Sequence, residues 1–467
     1  MKQISLRVIL ILTTIIILAI VCSAREYTLG ETYDQALKAS EKIEIAKENV
    51  YIARQGRDKA LSLLIPRLTA YGSYSRFSED KYTSVGSILI QPDETSSWGV
   101  RADQSFSLSA RELDALTIAG QSISKSQYDL QTAQTDFLLN VGVTFYDVLK
   151  ARKAVDIANA NLGRLTQYHH SVETRFKVGE LTKTALLRAE GELSGARADQ
   201  LRAVNSLQLA RAALIRVAGL EPDFQLKEKK QPSSGMCEWT SLRQSAMNDR
   251  TDLKSYDMQT RMAEQQVQYT RGAFWPSVGL FAIYNRADQD PMTTTFNDEN
   301  IYGGVSLTFP FFEGGLRTAE YREAKAKERQ ARLAYDDLKK SVDIELKASC
   351  LELETLQGSL QFLQDQQTFA RDNYNAVMKQ FENGLATSLD VMDANTLLLT
   401  ADRDLSRASY NYEIAYLRVK QTSGALLQFI SESHSAEQQE PGDPSGGDLR
   451  ARKPGGKLWQ FFCLDAL

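Results

Sequence analysis

The sequence predicts a mainly α fold with a small β part, in which long coiled-coil helical hairpins are tandemly duplicated. Three observations predict it. Heptad rows run for roughly 65 residues, short blocks alternate with the period of a strand, and both features return at one spacing along the chain. Of the 467 residues, 43% are hydrophobic and only 10 are Pro, so the chain can build a sizeable core and keep its helices unbroken. Its 55 Lys and Arg against 59 Asp and Glu leave a net charge of −4, which argues against a nucleic-acid partner, since that requires a basic surface. A mean hydropathy of −0.34 excludes a polytopic helical membrane protein.

Residues 1–24 read as a secretory signal peptide. Lys2 and Arg7 supply the positive start, Val8 to Val21 the apolar run, and Cys22-Ser23-Ala24 a small-residue site with cleavage expected after Ala24. Lipid attachment at Cys22 is the rival, disfavoured by the bulk of Val21. No second apolar stretch reaches the ~20 residues of a spanning helix, so the mature chain is expected to cross one membrane and to contain no transmembrane helix. Cys237, Cys350 and Cys463 then remain. They are odd in number, fit no metal spacing and are too few for a disulfide framework. Cys350, among helical residues, reads as a small buried side chain.

The chain is written twice. Leu64-Ile65-Pro66-Arg67-Leu68 is echoed by Phe274-Trp275-Pro276-Ser277-Val278, Gly99-Val100 and Phe106 by Gly304-Val305 and Phe311, and Phe176-Lys177-Val178-Gly179 by Phe381-Glu382-Asn383-Gly384, all about 205–210 positions apart. The first unit is read as residues 25–228 and the second as 229–428. Their joint lies near Glu221 to Glu238, where Pro222, Pro232, Ser233, Ser234 and Gly235 cluster. Residues 429–467 read as a disordered tail, rich in Glu, Gln, Gly, Pro and Ser. Each unit opens with a helical stretch, Leu29 to Leu64 or Ser241 to Phe274, ended by a Pro. A strand pair follows, 67–77 with 98–107 or 276–285 with 301–311. A long helix over 109–176 or 316–381 comes next, then a Gly-containing turn and a returning helix over 184–218 or 388–425.

The strands are two-faced. Trp98, Val100, Ala102 and Phe106 share one side against Arg101, Asp103 and Ser105, and Ile301, Gly303, Val305, Leu307, Phe309 and Phe311 oppose Tyr302, Gly304, Ser306, Thr308 and Pro310. Their length matches the ~9–11 residues of a tilted membrane strand, and the aromatics at their ends (Tyr71, Phe77, Trp275, Tyr284) suit a lipid interface. The edge of a soluble sandwich would show the same alternation. Four strands do not close a barrel, for which single chains need about eight. An open edge in lipid leaves backbone groups unpaired at a cost of several kcal/mol each. In a membrane, several copies would have to share one barrel.

The long helices carry sustained heptads, one from Leu113 through Leu130, Val141, Val148, Leu165 and Val172 to Phe176, the other from Val342 through Leu346, Leu353, Leu360 and Tyr374 to Phe381. About 65 residues make a rod of roughly 100 Å. A second apolar row, Leu138, Phe145 and Leu149, lies beside the first. Two contact faces suit the wall of a hollow cylinder.

Pro66, the strand pairs, the heptad helices, the Phe-x-x-Gly turns, Arg250-Thr251-Asp252-Leu253, Gly314-Gly315 and Asp390-Val391-Met392-Asp393, in this order, resemble the TolC-like outer-membrane efflux family over about Tyr27 to Leu427. The resemblance implies a homotrimer. Its twelve shared strands would form a transmembrane β-barrel in outer-membrane lipid, and its helices a trimeric α-barrel, a periplasmic tunnel closed at its inner end. It implies passage for drugs, other small molecules or secreted polypeptides in tripartite efflux or type I secretion. The implied partners are a periplasmic adaptor and an inner-membrane pump. The tunnel entrance would lie at the turns Phe176 to Thr184 and Phe381 to Leu389. Asp390 and Asp393 match the carboxylates that ring the family's closed pore and would draw in cations. The plainer reading is that two Asp near a helix start favour its dipole and cap it. Some members latch the closed state with a basic residue two places after the turn Gly. Here that place is Ala386, so a latch would use other residues such as Arg188 or Lys183. Gly179, Leu181 and Thr182, with Gly384, Leu385 and Thr387, are the candidate adaptor contacts, although Gly also ends a helix and Thr caps the next.

Ser122-Ile123-Ser124-Lys125 formally matches a nucleophile pattern but lies inside a heptad helix without a companion motif, and the adjacent His169 and His170 point apart. There is no Gly-rich phosphate loop, His-Glu-x-x-His or Gly-x-Ser-x-Gly. No enzyme activity, cofactor or metal is expected. A periplasmic adaptor would have one hairpin flanked by small β domains, whereas this chain has two hairpins and too little strand. A coiled-coil spacer of the envelope would explain the heptads and leave the strands without a role.

Overall fold

The computed structural model describes residues 25–83, 88–228, 237–293 and 296–437. The segment read from sequence as a signal peptide, with Cys22, the chain after 437 and Cys463 lie outside the described residues. The first unit runs β1 (Arg25–Tyr27), α1 (Leu29–Ala39), α2 (Glu41–Ser62), β2 (Arg67–Arg76), β3 (Lys81–Tyr82), β4 (Leu89–Gln91), β5 (Glu94–Ser107), α3 (Arg111–Lys177), α4 (Lys183–Ala218). β6 (Phe224–Leu226) closes that unit, and the second runs α5 (Trp239–Asp249), α6 (Thr251–Gly272), β7 (Ser277–Asp290), β8 (Glu299–Thr308), α7 (Leu316–Glu382), α8 (Ser388–Thr422), α9 (Leu426–Glu437).

Several details differ from the sequence expectation. Each opening helical stretch is broken in two, at Ser40 and at Arg250, both with extended backbone. The breaks let α1 turn back onto α3 and α4, and α5 onto α7. A parallel pair, β1 with β6, ties the start of the chain to the joint between the units; three residues are too few to show an alternation. The segment read as tail begins as helix, because Leu426 and Ile430 are buried in the core and α9 grows around them. Cys350 is buried, but it is not a lone side chain: a disulfide joins it to Cys237 and pins the linker ahead of α5 to the middle of α7.

β2, β5, β7 and β8 form one antiparallel sheet in the order β2-β5-β7-β8, so β2 and β8 are its edges. The register sorts the side chains. Leu68, Ala70, Gly72 and Tyr74 lie in line with Trp98, Val100, Ala102 and Phe106, with Val278, Leu280, Ala282 and Tyr284, and with Ile301, Gly303, Val305 and Leu307. The opposite face carries Thr69, Ser73, Ser97, Arg101, Asp103, Asn285, Ser306 and Thr308. Aromatics close the apolar band at both ends, Tyr74, Trp98 and Tyr284 at one and Phe106, Trp275, Phe309, Phe311 and Phe312 at the other. Phe311 and Phe312 are 91% and 87% exposed.

The helices continue from the sheet. Ala110 and Gly315 stand at the same place in the two units, and both adopt a left-handed backbone to turn a strand into a long helix. At the sheet end the packing order is α2, α3, α6, α7; beyond it the order is α4, α3, α8, α7. The heptad rows form these contacts. Val141, Val148, Leu165 and Val172 are buried on α3, with Leu138, Phe145 and Leu149 beside them, and Val342, Leu346, Leu353, Tyr374 and Phe381 on α7. Helices α2, α4 and α7 are left as flanks. The flanks are not polar. Ile45 and Ile52 on α2, Leu187, Leu201 and Leu209 on α4, and Leu333, Ile344, Phe362 and Phe369 on α7 are all exposed.

Arg250 locks the second unit. It is buried at the start of α6, where it donates twice to Asp252 at 3.0 and 2.7 Å, to Glu345 of α7 at 3.0 Å and to the Thr422 carbonyl at the end of α8 at 3.4 Å. Arg250→Ala would take from Asp252, Glu345 and the end of α8 their shared guanidinium donor, and is expected to cost about 3 kcal/mol, read as a lowered urea midpoint. Cys350→Ser opens a cross-link spanning 113 residues of sequence. It is expected to cost about 2–5 kcal/mol, with no further effect of a reducing agent on the variant.

Candidate functional site

The two hairpin tips share one design. α3 ends in a Schellman turn: Gly179 has φ +83°, its amide bonds the Phe176 carbonyl at 3.0 Å, and the Glu180 amide bonds the Arg175 carbonyl at 2.9 Å. α7 repeats it with Gly384 at φ +76°, its amide 3.0 Å from the Phe381 carbonyl and the Leu385 amide 2.8 Å from the Gln380 carbonyl. Only Gly adopts this backbone without strain. Thr182 and Thr387 then cap the returning helices, accepting from the amides of Ala185 and Asp390, each at 3.3 Å.

The tips diverge after the Gly. Leu181 and Ala386 occupy equivalent places and both pack into the tip core, whereas Glu180 and Leu385 point outward, Leu385 with 80% exposure. Leu181 and Leu385 were expected to be presented alike. Pairing the turns residue by residue shows that they are not equivalent positions.

Asp390 and Asp393 sit one turn apart on the exposed side of α8, opposite the buried Val391, Ala394 and Leu398. Asp390 closes a capping box. It accepts from the Thr387 hydroxyl at 2.6 Å and the Thr387 amide at 2.7 Å, and these bonds, the hydroxyl's first, hold its carboxyl below the usual carboxylate range. The capping role considered from sequence is therefore real for Asp390. Its charge is kept as well, since a cap bond favours the ionised form. Asp393 is exposed and has no partner among the described residues.

The tips are held together from below. Leu165, Tyr168, Val172, Phe381, Val391 and Leu398 belong to one core drawn from both hairpins. Polar bonds cross the same seam. Asn395 donates to Asn161 at 3.0 Å and accepts from Arg164 at 3.1 Å. The buried Tyr168 hydroxyl lies 2.6 Å from the Ser388 hydroxyl, and Arg175 donates to the Phe381 carbonyl at 2.7 Å and to the Glu382 carbonyl while its guanidinium covers the Phe381 ring. Burial raises the Tyr168 phenol and lowers the Arg164 guanidinium from their ordinary values. Arg175 thus neutralises the negative end of α7. Neither Lys183 nor Arg188, suggested from sequence for such a link, makes a hydrogen bond or ion pair among the described residues. Asn161, Tyr168 and Asn395 could have been noticed as polar residues beside a heptad seam. Ser122 and Lys125, like His169 and His170, are positions on α3, and the described residues hold no cluster suited to a metal ion.

Comparison with known proteins places this architecture. The chain matches the family model described as outer membrane efflux protein over residues 32–220 and 242–425, one block in each unit. It is similar to outer membrane protein TolC of Vibrio cholerae, 23% identical over 409 residues, covering 86% of this chain and 91% of that one. It is likewise similar to the alkaline protease secretion protein AprF of Pseudomonas aeruginosa, 23% identical over 418 residues, with 86% and 85% covered. Among solved structures it superposes on the Campylobacter jejuni CmeC outer membrane channel with a TM-score of 0.77 at 16% identity, covering 88% and 89% of the two chains. With the family model spanning both units, the chain belongs to the outer membrane efflux protein family.

Proposed function

We propose that three copies of this chain form a passive exit duct that crosses the outer membrane and the periplasm, and that helix movement at the tips opens it. The chain is an outer membrane efflux channel, not an enzyme; the trimer, the gate and the docking surfaces are the further reading. One observation carries it. The sheet has an apolar band bounded by aromatics, a polar opposite face and two unpaired edges, and these requirements are met together only when copies join edge to edge with the apolar band outward. The helical flanks fit the same assembly. α2 and α4 of one copy would lie against α7 of the next, burying Ile45, Ile52, Leu201 and Leu209 against Leu333, Ile344, Phe362 and Phe369.

Asp390 and Asp393 of three copies then ring the periplasmic entrance, where clustered carboxylates concentrate cations and oppose anions. The latch is the seam formed by Asn161, Arg164, Tyr168 and Arg175 with Ser388, Asn395 and the end of α7. A periplasmic adaptor contacts the tips through Gly179, Thr182, Gly384, Thr387 and the outward Leu385, while Leu181 serves the tip core. An inner-membrane pump supplies the energy.

In planar bilayers, Asp390→Ala combined with Asp393→Ala is expected to raise single-channel conductance and to abolish block by trivalent cations. Asp393→Asn, which leaves the Thr387 cap intact, is expected to weaken that block by itself. Unchanged block in both variants removes these carboxylates from the gate.

A further inference from the structure

The sheet face opposite the apolar band carries three charged side chains along its paired register among the described residues, and all three stand together. They are Arg67 on β2 and Arg101 and Asp103 on β5. The charges at the far end of the sheet, Arg76, Glu94, Arg286, Asp288, Asp290 and Glu299, belong to the other face. Arg67 lies directly across from Asp103. The Asp103 carboxylate is taken by Arg101, whose Nε is 2.8 Å from each oxygen. That leaves the Arg67 guanidinium without a hydrogen bond or ion pair among the described residues, and leaves the cluster net positive.

Aromatic rings adjoin it. The Arg101 guanidinium is 5.7 Å from the centroid of Phe281 on β7, and Phe281 meets Tyr302 on β8 edge to face at 6.3 Å. Phe281 lies across Gly304, where a Cβ would come within 2.6 Å of the ring, and Tyr71 lies across Gly99 in the same way, at 2.7 Å. Having no Cβ, these glycines leave room for the two rings to lie close against the wall. The cluster sits where β2 starts after Pro66, so in the duct it occupies the periplasmic mouth of the β-barrel.

We propose that Arg67, Arg101, Phe281 and Tyr302 form a cationic collar at this mouth that favours anions and binds organic anions bearing an aromatic ring. The inference rests on the duct reading above. Three copies would bring six guanidiniums and three carboxylates to one level of the lumen, where fixed charge raises the local concentration of counter-ions. A guanidinium pairs with a sulfonate or carboxylate through two parallel bonds, and the flat Phe281 face receives the ring. The sign is opposite to that of the tip carboxylates, so cargo meets a cation-favouring ring first and an anion-favouring collar second.

The test is the reversal potential of the full chain in planar bilayers under a KCl gradient, with block of the current by naphthalenesulfonate measured in parallel. Arg67→Gln combined with Arg101→Gln is expected to lower the chloride-to-potassium permeability ratio by at least about twofold and to weaken the block about tenfold. Asp103→Asn is expected to move the ratio the other way, and Arg67→Lys with Arg101→Lys to retain it. A conducting Gln variant with unchanged ratio and block overturns the collar; should that variant fail to insert, an unchanged ratio in Asp103→Asn overturns it. A wild-type chain that leaves the bilayer silent overturns the duct itself.

Discussion

Strand β2 is hydrogen-bonded on one side to β5, and β8 on one side to β7. The other side of each is a row of amide and carbonyl groups that water would satisfy in a soluble protein and hydrocarbon would not. At several kcal/mol per unpaired group, an edge of 10 residues in lipid exceeds the whole stability of an ordinary domain, which is about 5–15 kcal/mol. The apolar band on these strands puts both edges in that environment. Pairing with another copy removes the penalty, and each copy offers one edge of each kind, so a closed ring satisfies all of them.

Much else follows if the strands are shared as proposed. A short sheet needs a scaffold to hold its angle, and the scaffold is the pair of α-helical hairpins rising from it. Duplication lets one set of junctions do this twice: Pro66 and Pro276 end the helices before the strands, and Ala110 and Gly315 turn the strands into long helices. The units are not identical. The second carries the extra fastenings, Arg250 at the α6 start and the Cys237–Cys350 bridge, and both act on α7, the helix whose free face spans the full length of the chain's flank.

The repeats, the strand faces and the heptad seams were legible in the sequence because each is a period, and a period survives without knowing what lies opposite. Pairings between distant residues carry no such signal. Cys237 and Cys350 belong to a linker and a helix that are brought together only by the turn of α5 onto α7. Arg175 reaches the carbonyl end of α7 because the two tips end level, a fact of helix length rather than of local motif. The breaks at Ser40 and Arg250 were hidden because no Pro or Gly marks them. Leu181 and Leu385 looked alike because both follow a Gly closely, and one residue of offset sends one into the core and the other outward. At Asp390 the two readings considered from sequence proved compatible, since the carboxylate that caps α8 is also held ionised by the cap.

Strand sharing is tested most directly by the native mass of the mature chain extracted from membranes in mild detergent. A particle of three copies is expected, falling apart when β2 or β8 is disrupted by a mid-strand proline. A stable particle of one copy, with the sheet intact and no larger species, would contradict it.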